Sequence, residues 1–383
     1  MIFLILIIVF SKNINSIFLN NISFTNYFRS HRQQSIVFRG SANIWPEKEI
    51  PYFVSPMLDY ALINAALYRI TKETCLMFRY KKNIKESLFI YLPGKYYETN
   101  LGRRKEIPHK IYISINFKDI GKVMRETMRA LGIGYEHNRH DRNNYIMVFK
   151  NNIKPHFLKY FSKKQEMFIN TYDITYDFRS IRHFSSHEYA KSSKNTIIPK
   201  EHSMELVMGT SGYLTFNDAK FLNINYCSYP HISHPKCLYY GYQDPRVPTR
   251  CKCLPFLTGN QCDLIITNDN YCTQDNLFYA SKTPSNITLS VGGRCFFMIQ
   301  TGLGNRIKMF MKFLNIRRYT TKKCTENNSI EIKTRKDLST SGILFCPNKY
   351  DLRLTTPNDI VAIVSNFPQS NILLNIQFVE HRV

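Results

Sequence analysis

Arg125-Glu126-Thr127-Met128-Arg129-Ala130-Leu131-Gly132-Ile133-Gly134-Tyr135-Glu136-His137 is the stretch on which the fold turns. Its frame is H-E-x-x-H-x-x-G-x-x-H, a spacing that sets two histidines one helical turn apart and a third past a glycine, where imidazoles can share one metal ion. Arginine stands at the first two histidine positions, Arg125 and Arg129, and Tyr135 stands at the third. Gly121 precedes a predicted helix from about Lys122 to Leu131, and Gly132 stops it. The frame points to a fold, and the substitutions argue against its chemistry.

Upstream of this helix, Ile50 to Val54 predicts a first strand, and Met57 to Thr74 an amphipathic helix carrying Leu58, Ala61, Leu62, Ala65 and Leu67. Cys75 to Phe78, Leu88 to Leu92 and Ile111 to Ile115 predict further strands. Few regular elements are evident between Gly132 and Cys227. Seven of the ten cysteines fall between Cys227 and Cys295, a density that implies disulfide-stapled small modules in an exported chain. Alternating runs at Ile287 to Val291, Ile307 to Leu314 and Ile372 to Val379 make the tail an all-β candidate. Within it, Cys272, Cys295, Cys324 and Cys346 supply two bridges.

Met1 to Phe10 is a continuous apolar run too short to span a bilayer, which predicts a signal peptide over 1–16 and no transmembrane helix after its removal. Residues 17–44 are polar and predict a short pro-segment or arm. Sequons at Asn21, Asn286 and Asn327 are candidate glycosylation sites. The 383 residues carry 52 basic against 28 acidic side chains, a net charge of +24. Such a surface attracts anionic partners, and export favours glycans and cell surfaces over nucleic acid.

Residues 45–227 resemble the catalytic domain of the astacin family of zinc endopeptidases. The resemblance rests on Trp45-Pro46 with Ile50-Pro51-Tyr52 at its start, Thr74-Cys75, and the helix frame. Beyond these lie Glu136 to Tyr145, Tyr176 to Phe184 and Asn225-Tyr226-Cys227. Residues 228–266 resemble a reduced EGF-like module, and 267–383 a CUB domain. The resemblance implies an α+β metzincin-like domain with a zinc-helix remnant and a cleft, then a small EGF-like module, then an all-β CUB-like sandwich. It also implies the pairs Cys75–Cys227, Cys237–Cys251 and Cys253–Cys262. A second disulfide of the family domain is absent: Phe117 stands at one of its positions, and no cysteine lies between Lys95 and Gly102.

In active relatives three histidines hold Zn²⁺, and the glutamate beside the first activates the bound water. A guanidinium has no free lone pair and stays protonated, so Arg125 and Arg129 cannot replace two of those ligands, and Tyr135 alone makes no site. At the Met-turn, Arg182 replaces the methionine and Phe184 the nearby tyrosine. Glu126 is then a remnant of the general base, expected to ion-pair with Arg125 or Arg129. Glu136 matches the residue that receives the matured N-terminus and is expected to be only a loop carboxylate. His109, His137, His140 and His183 have no spacing that rebuilds a metal site. Met311 to Ile316 offers no acid for the calcium that some CUB domains bind.

These readings lead to a secreted pseudoprotease that binds extracellular proteins, peptides or anionic glycans, with no cofactor expected unless the inactive reading fails. The alternatives are an active zinc metalloendopeptidase working through a zinc-activated water, and a basic adhesion protein acting through its CUB-like tail.

Overall fold

The computed structural model describes residues 43–164, 171, 174–205, 207–227, 236–314, 324–326, 328–347 and 350–382. The expected signal peptide, almost all of the 17–44 segment, and the sequons at Asn21 and Asn327 lie outside these residues.

Strand β1 (Glu49–Val54) buries Ile50, Tyr52 and Val54 on one face, the period of two that a half-buried strand requires. Helix α1 (Tyr60–Glu73) begins three residues later than the apolar pattern predicts. The cause is Asp59, whose carboxylate accepts from the Ala61 and Leu62 amides as N-cap. Its buried stripe, Ile63, Ala66, Leu67 and Ile70, follows the i, i+3, i+4, i+7 spacing. Strands β2 (Met77–Tyr80), β3 (Phe89–Gly94), β4 (Glu98–Thr99) and β5 (His109–Ser114) complete a sheet of order β2-β1-β3-β5-β4. All its pairings are parallel except β4 with β5.

Helix α2 (Ile120–Ala130) carries the charged frame. Asp119 caps it by accepting from the Lys122 amide at 3.0 Å, and Arg125 and Glu126 are buried within it. Gly132, at φ +92°, turns the chain out of the helix; a Cβ there would meet the Asn43 carbonyl oxygen at 2.7 Å. The Trp45 indole donates to the Ala130 carbonyl at 2.7 Å, and the Tyr226 hydroxyl to that of Leu131 at 2.5 Å. Two free carbonyls at the end of α2 are thereby satisfied by distant side chains.

Between Gly132 and Cys227 the chain forms short 3₁₀ turns and one ribbon, β6 (Ile146–Val148) with β7 (Ile197–Pro199). It also forms a helix that the apolar pattern does not reveal, α3 (Phe216–Tyr226), opened by a Thr215–Asp218 capping box. Asn217, Asp218, Lys220 and Asn223 are buried along with its apolar residues, so α3 has no polar face and no amphipathic period. A disulfide between Cys75 and Cys227 ties its end to the start of the sheet.

Residues 236–266 form two small ribbons, β8 (Tyr242–Gln243) with β9 (Cys251–Lys252) and β10 (Leu257–Thr258) with β11 (Leu264–Ile265). Disulfides Cys237–Cys251 and Cys253–Cys262 staple them. Beyond lies a two-sheet β-sandwich built from β12 (Leu277–Tyr279), β13 (Ser285–Ser290), β14 (Arg294–Gln300), β15 (Arg306–Phe313), β16 (Ile330–Lys333), β17 (Ile343–Phe345), β18 (Leu352–Thr355), β19 (Ile360–Asn366) and β20 (Leu373–His381). The sheets have orders β12-β14-β19-β16-β17 and β13-β20-β15-β18. Disulfides join Cys272 to Cys295 and Cys324 to Cys346. Buried apolar residues of the first domain, Tyr176, Phe178 and Met204 among them, share one hydrophobic cluster with Ile332, Ile343 and Phe345 of the sandwich. Ion pairs also cross the junction, Arg179 to Glu331 at 2.9 Å and Glu326 at 3.3 Å, and Arg335 to Glu201 at 2.9 Å.

Candidate functional site

Helix α2 aims Arg125 and Glu126 inward, and the Gly132 turn brings Tyr135 back over them. The Arg125 Nε donates to Glu126 Oε1 at 3.0 Å, and its Nη2 to Glu188 Oε1 at 3.2 Å. Its guanidinium carbon also lies 4.6 Å from the Phe184 ring centroid, a cation–π contact in a site shut off from water. The other Glu126 oxygen accepts from the Tyr135 hydroxyl at 2.8 Å. Glu126 is fully buried, and each of its carboxylate oxygens has a protein donor.

Arg129, one turn on, does not reach Glu126. Its Nε donates to the Thr99 carbonyl at 3.0 Å, and its guanidinium lies 4.4 Å from the Tyr135 ring centroid. Glu126 is thus held by Arg125 and Tyr135, and of the two arginines expected to pair with it only Arg125 does so.

Glu188 carries no signal in the sequence. The pairing spans 63 positions, and nothing in Ser185-Ser186-His187-Glu188 marks a buried acid. Lys122 reaches the same oxygen at 2.9 Å. Burial alone would raise both carboxyls, and at Glu126 it prevails, so that acid is pushed up. At Glu188 two cations outweigh burial and hold the carboxyl down to about 2. One acid of the cluster therefore stays ionised far into the acid range, and the other resists ionisation.

A second buried cluster lies behind the first, and here an expectation is corrected. Glu136 is not a mere loop carboxylate. It is fully buried and pairs with Arg139 at 3.1 Å and Arg182 at 2.5 Å, and it accepts from the Asp177 amide. Burial opposes its ionisation, yet Arg182 and Arg139 prevail and lower its pKa. Arg182 also donates to Asp218 at 3.0 Å and to the Gly134 carbonyl at 3.1 Å. The cation at the Met-turn position thus links α3 to the turn after α2.

Three of the four histidines near the frame, His109, His137 and His183, are held by structural hydrogen bonds. His137 donates from Nε2 to the Tyr160 carbonyl at 3.0 Å and accepts at Nδ1 from the Phe184 amide at 3.4 Å. His183 donates from Nδ1 to the Phe184 carbonyl, and its Nε2 accepts from the Tyr176 hydroxyl. Burial lowers both, His183 to about 4. His109 sits on β5 against Thr99 at 2.9 Å and is likewise lowered to about 4 by burial.

The family model of Astacin, a peptidase family, matches residues 38–227. Residues 38–227 are an astacin-family domain. Across 337 residues the chain is 26% identical to zinc metalloproteinase nas-34 of Caenorhabditis elegans, covering 86% of this chain and 55% of that protein. Across 302 residues it is 25% identical to zinc metalloproteinase dpy-31 of Brugia malayi, covering 75% of this chain and 50% of that protein. The chain thus spans about half the length of these relatives. Among solved structures it resembles high choriolytic enzyme 1, a hatching enzyme zinc-protease of Oryzias latipes. That likeness covers 50% of this chain and 98% of the other, with a TM-score of 0.41 and 22% identity.

The comparisons correct the expectation that no cofactor belongs to this chain. The relatives it matches are zinc metalloproteinases. The three frame positions, as they stand, do not fit that ion: Arg125 and Arg129 have no lone pair to give, and the Tyr135 hydroxyl is spent on Glu126. What the cluster does chemically is hold a cation between two acids on the inner face of α2.

Proposed function

We propose that this chain is a secreted protein of astacin fold that has exchanged peptide hydrolysis for binding. In this reading residues 1–16 are a signal peptide, 45–227 the peptidase-like domain, 228–266 an EGF-like module and 267–383 a CUB-like domain. Its partners are extracellular proteins or anionic glycans. The observation that carries the reading is the state of Glu126. A general base must have a lone pair facing a water or a substrate proton, and here Glu126 is fully buried, with Arg125 and Tyr135 each donating to one of its oxygens.

A second reading, an active zinc metalloendopeptidase, is favoured by the names of the relatives. The two separate in a peptidase assay on the full secreted chain with zinc supplied, run beside Glu126→Gln and beside the triple variant Arg125→His/Arg129→His/Tyr135→His. The binding reading expects no cleavage by the parent that Glu126→Gln removes. Turnover by the parent that disappears in Glu126→Gln would establish the peptidase.

A further inference from the structure

The outer face of the β13-β20-β15-β18 sheet carries four cations and, within its strands, no carboxylate; the exposed Asp351 stands just before β18, at the Lys312 end. On β15 burial alternates, with Ile307, Met309, Met311 and Phe313 inward and Arg306, Lys308, Phe310 and Lys312 outward. Register carries that face across the sheet. Phe310 lies opposite Arg353 of β18, and Lys308 opposite Thr355. Towards β20, Lys308, Phe310 and Lys312 lie opposite Val379, Gln377 and Asn375, and Arg306 opposite His381. Asn375 and Gln377 lie in turn opposite Thr288 and Asn286 of β13. Among the described residues none of Arg306, Lys308, Lys312 or Arg353 is in an ion pair, and all four are exposed. The sheet's acid, Glu380, has the opposite parity and accepts from Thr301.

The face is shaped as well as charged. A concavity of about 580 Å³ lies over it, lined by Lys308, Phe310, Arg353 and Gln377 among others. Arg353 rests its guanidinium 5.0 Å from the Phe310 ring centroid. Leu354 and Thr355 also line a second cavity of about 430 Å³ at the junction with the astacin domain, whose lining includes Arg306, Lys200 and Arg335. Arg335 is neutralised there by Glu201; Lys200 is exposed. The basic track therefore runs off the sheet and into the junction between domains. Along β15 alone, Arg306 to Lys312 spans about 20 Å at ~3.4 Å per residue.

We propose that this track binds a sulfated polysaccharide. The inference rests on the reading of the chain as an extracellular binding protein and gives that reading a partner and a place. An extended polyanion matches cations spread along a strand without intervening acids. The amides of Gln377 and Asn375 beside the Phe310 ring suit the hydroxyls and flat faces of sugar rings. A peptide adding as a strand needs a free sheet edge, and this surface is a face. A membrane would need protruding apolar side chains, and Phe310 is half-buried beneath Arg353.

The test is the affinity of the full secreted chain for heparin, read by surface plasmon resonance across a salt series. The variant Lys308→Glu/Lys312→Glu/Arg353→Glu is compared with Lys82→Glu/Lys85→Glu/Lys194→Glu, which makes the same charge change at exposed positions of the astacin domain. The sheet variant should weaken binding by about tenfold or more and flatten the salt dependence, while the control stays within about twofold. Circular dichroism checks that both fold, and Lys308→Ala/Arg353→Ala repeats the comparison with milder changes. Equal losses in the two variants would show that net charge alone drives binding, and no loss in either would place the site elsewhere; both overturn the proposal. So would equal affinity for polyglutamate or for anionic lipid vesicles. Peptide cleavage by the parent would sink the non-enzymatic reading and leave the heparin result standing, so the two failures are separable.

Discussion

Arg125 and Glu188, 63 positions apart, meet in a buried ion pair of 3.2 Å on the inner face of α2. The pair places a fixed cation inside α2 and holds two acids to it. Truncating one partner of a buried pair leaves the other charge without compensation, which costs about 3–5 kcal/mol. Arg125→Ala should therefore lower the unfolding free energy in urea by that much, whereas Arg129→Ala, which strips only a carbonyl contact and ring stacking, should cost about 1–2 kcal/mol. Removing the acids as well, in Arg125→Met/Glu126→Gln/Glu188→Gln, should recover part of the loss. Equal effects of Arg125→Ala and Arg129→Ala would remove the cluster from its central place.

The same cluster sets an acid limit. The Glu188 carboxyl, held at about 2, lies below its unfolded value near 4.3. A carboxyl depressed by folding contributes stability above the unfolded pKa and loses it as pH falls towards the folded one. That contribution, on the order of 3 kcal/mol, should disappear between about pH 4.3 and pH 2. Glu126 works in the opposite sense: its raised pKa favours folding when protonated and costs stability as pH rises through the folded value. The unfolding free energy of Glu188→Gln should accordingly vary less than that of the parent between about pH 4.3 and pH 2. Parallel curves would mean that Glu188 titrates normally.

Much of the first domain is legible because its elements obey a period. The β1 alternation and the α1 stripe each follow from a single buried face, and Gly132 marks an end that elementary capping chemistry recognises, whereas the apolar pattern runs past the Asp59 cap and starts α1 three residues early. Helix α3 escapes because it is buried on every side, including Asn217, Asp218 and Lys220, so apolar spacing says nothing about it. The site divides in the same way. Arg125 and Glu126 are adjacent in the chain, so proximity alone offers the pair, although neighbouring side chains on a helix diverge and helical spacing would have favoured Arg129. Glu188 and Asp218 reach their arginines only through tertiary folding, and no local pattern announces them. Glu136 departs from expectation because its position says loop, whereas Arg139 and Arg182 turn it into a buried junction. The cofactor expectation fails for a different reason: it extends an argument about three ligand positions to the whole chain, and the relatives are zinc metalloproteinases.

The disulfide between Cys75 and Cys227 closes a loop across 152 positions. In the chain-entropy account such a link removes about 5 kcal/mol of freedom from the unfolded chain. Cys75→Ala/Cys227→Ala should lose several kcal/mol in chemical unfolding. Cys253→Ala/Cys262→Ala, across 9 positions, should lose about 2.5 kcal/mol less by the same account. A reversed order would mean that native contacts around the short loop outweigh loop entropy.

Arg179 joins the astacin domain to the sandwich. It is buried, donates to Glu331 at 2.9 Å and to Glu326 at 3.3 Å, and also reaches the Gly342 carbonyl. Burial would raise the Glu331 carboxyl, but Lys333 and Arg179 outweigh it and lower its pKa. Lys333, 3.3 Å from Glu331, remains as a cation if Arg179 is removed, so the residual acid is not stranded. The loss in Arg179→Ala should therefore be about 2 kcal/mol, below that of Arg125→Ala. Because the pairs cross the domain junction, the loss should appear as separation of two unfolding steps in calorimetry, with the lower step moved down. Glu326→Gln, on the more exposed partner, should change it by less than about 1 kcal/mol. A single step that shifts as a whole in Arg179→Ala would show that the shared apolar core, and not this arginine, couples the two domains.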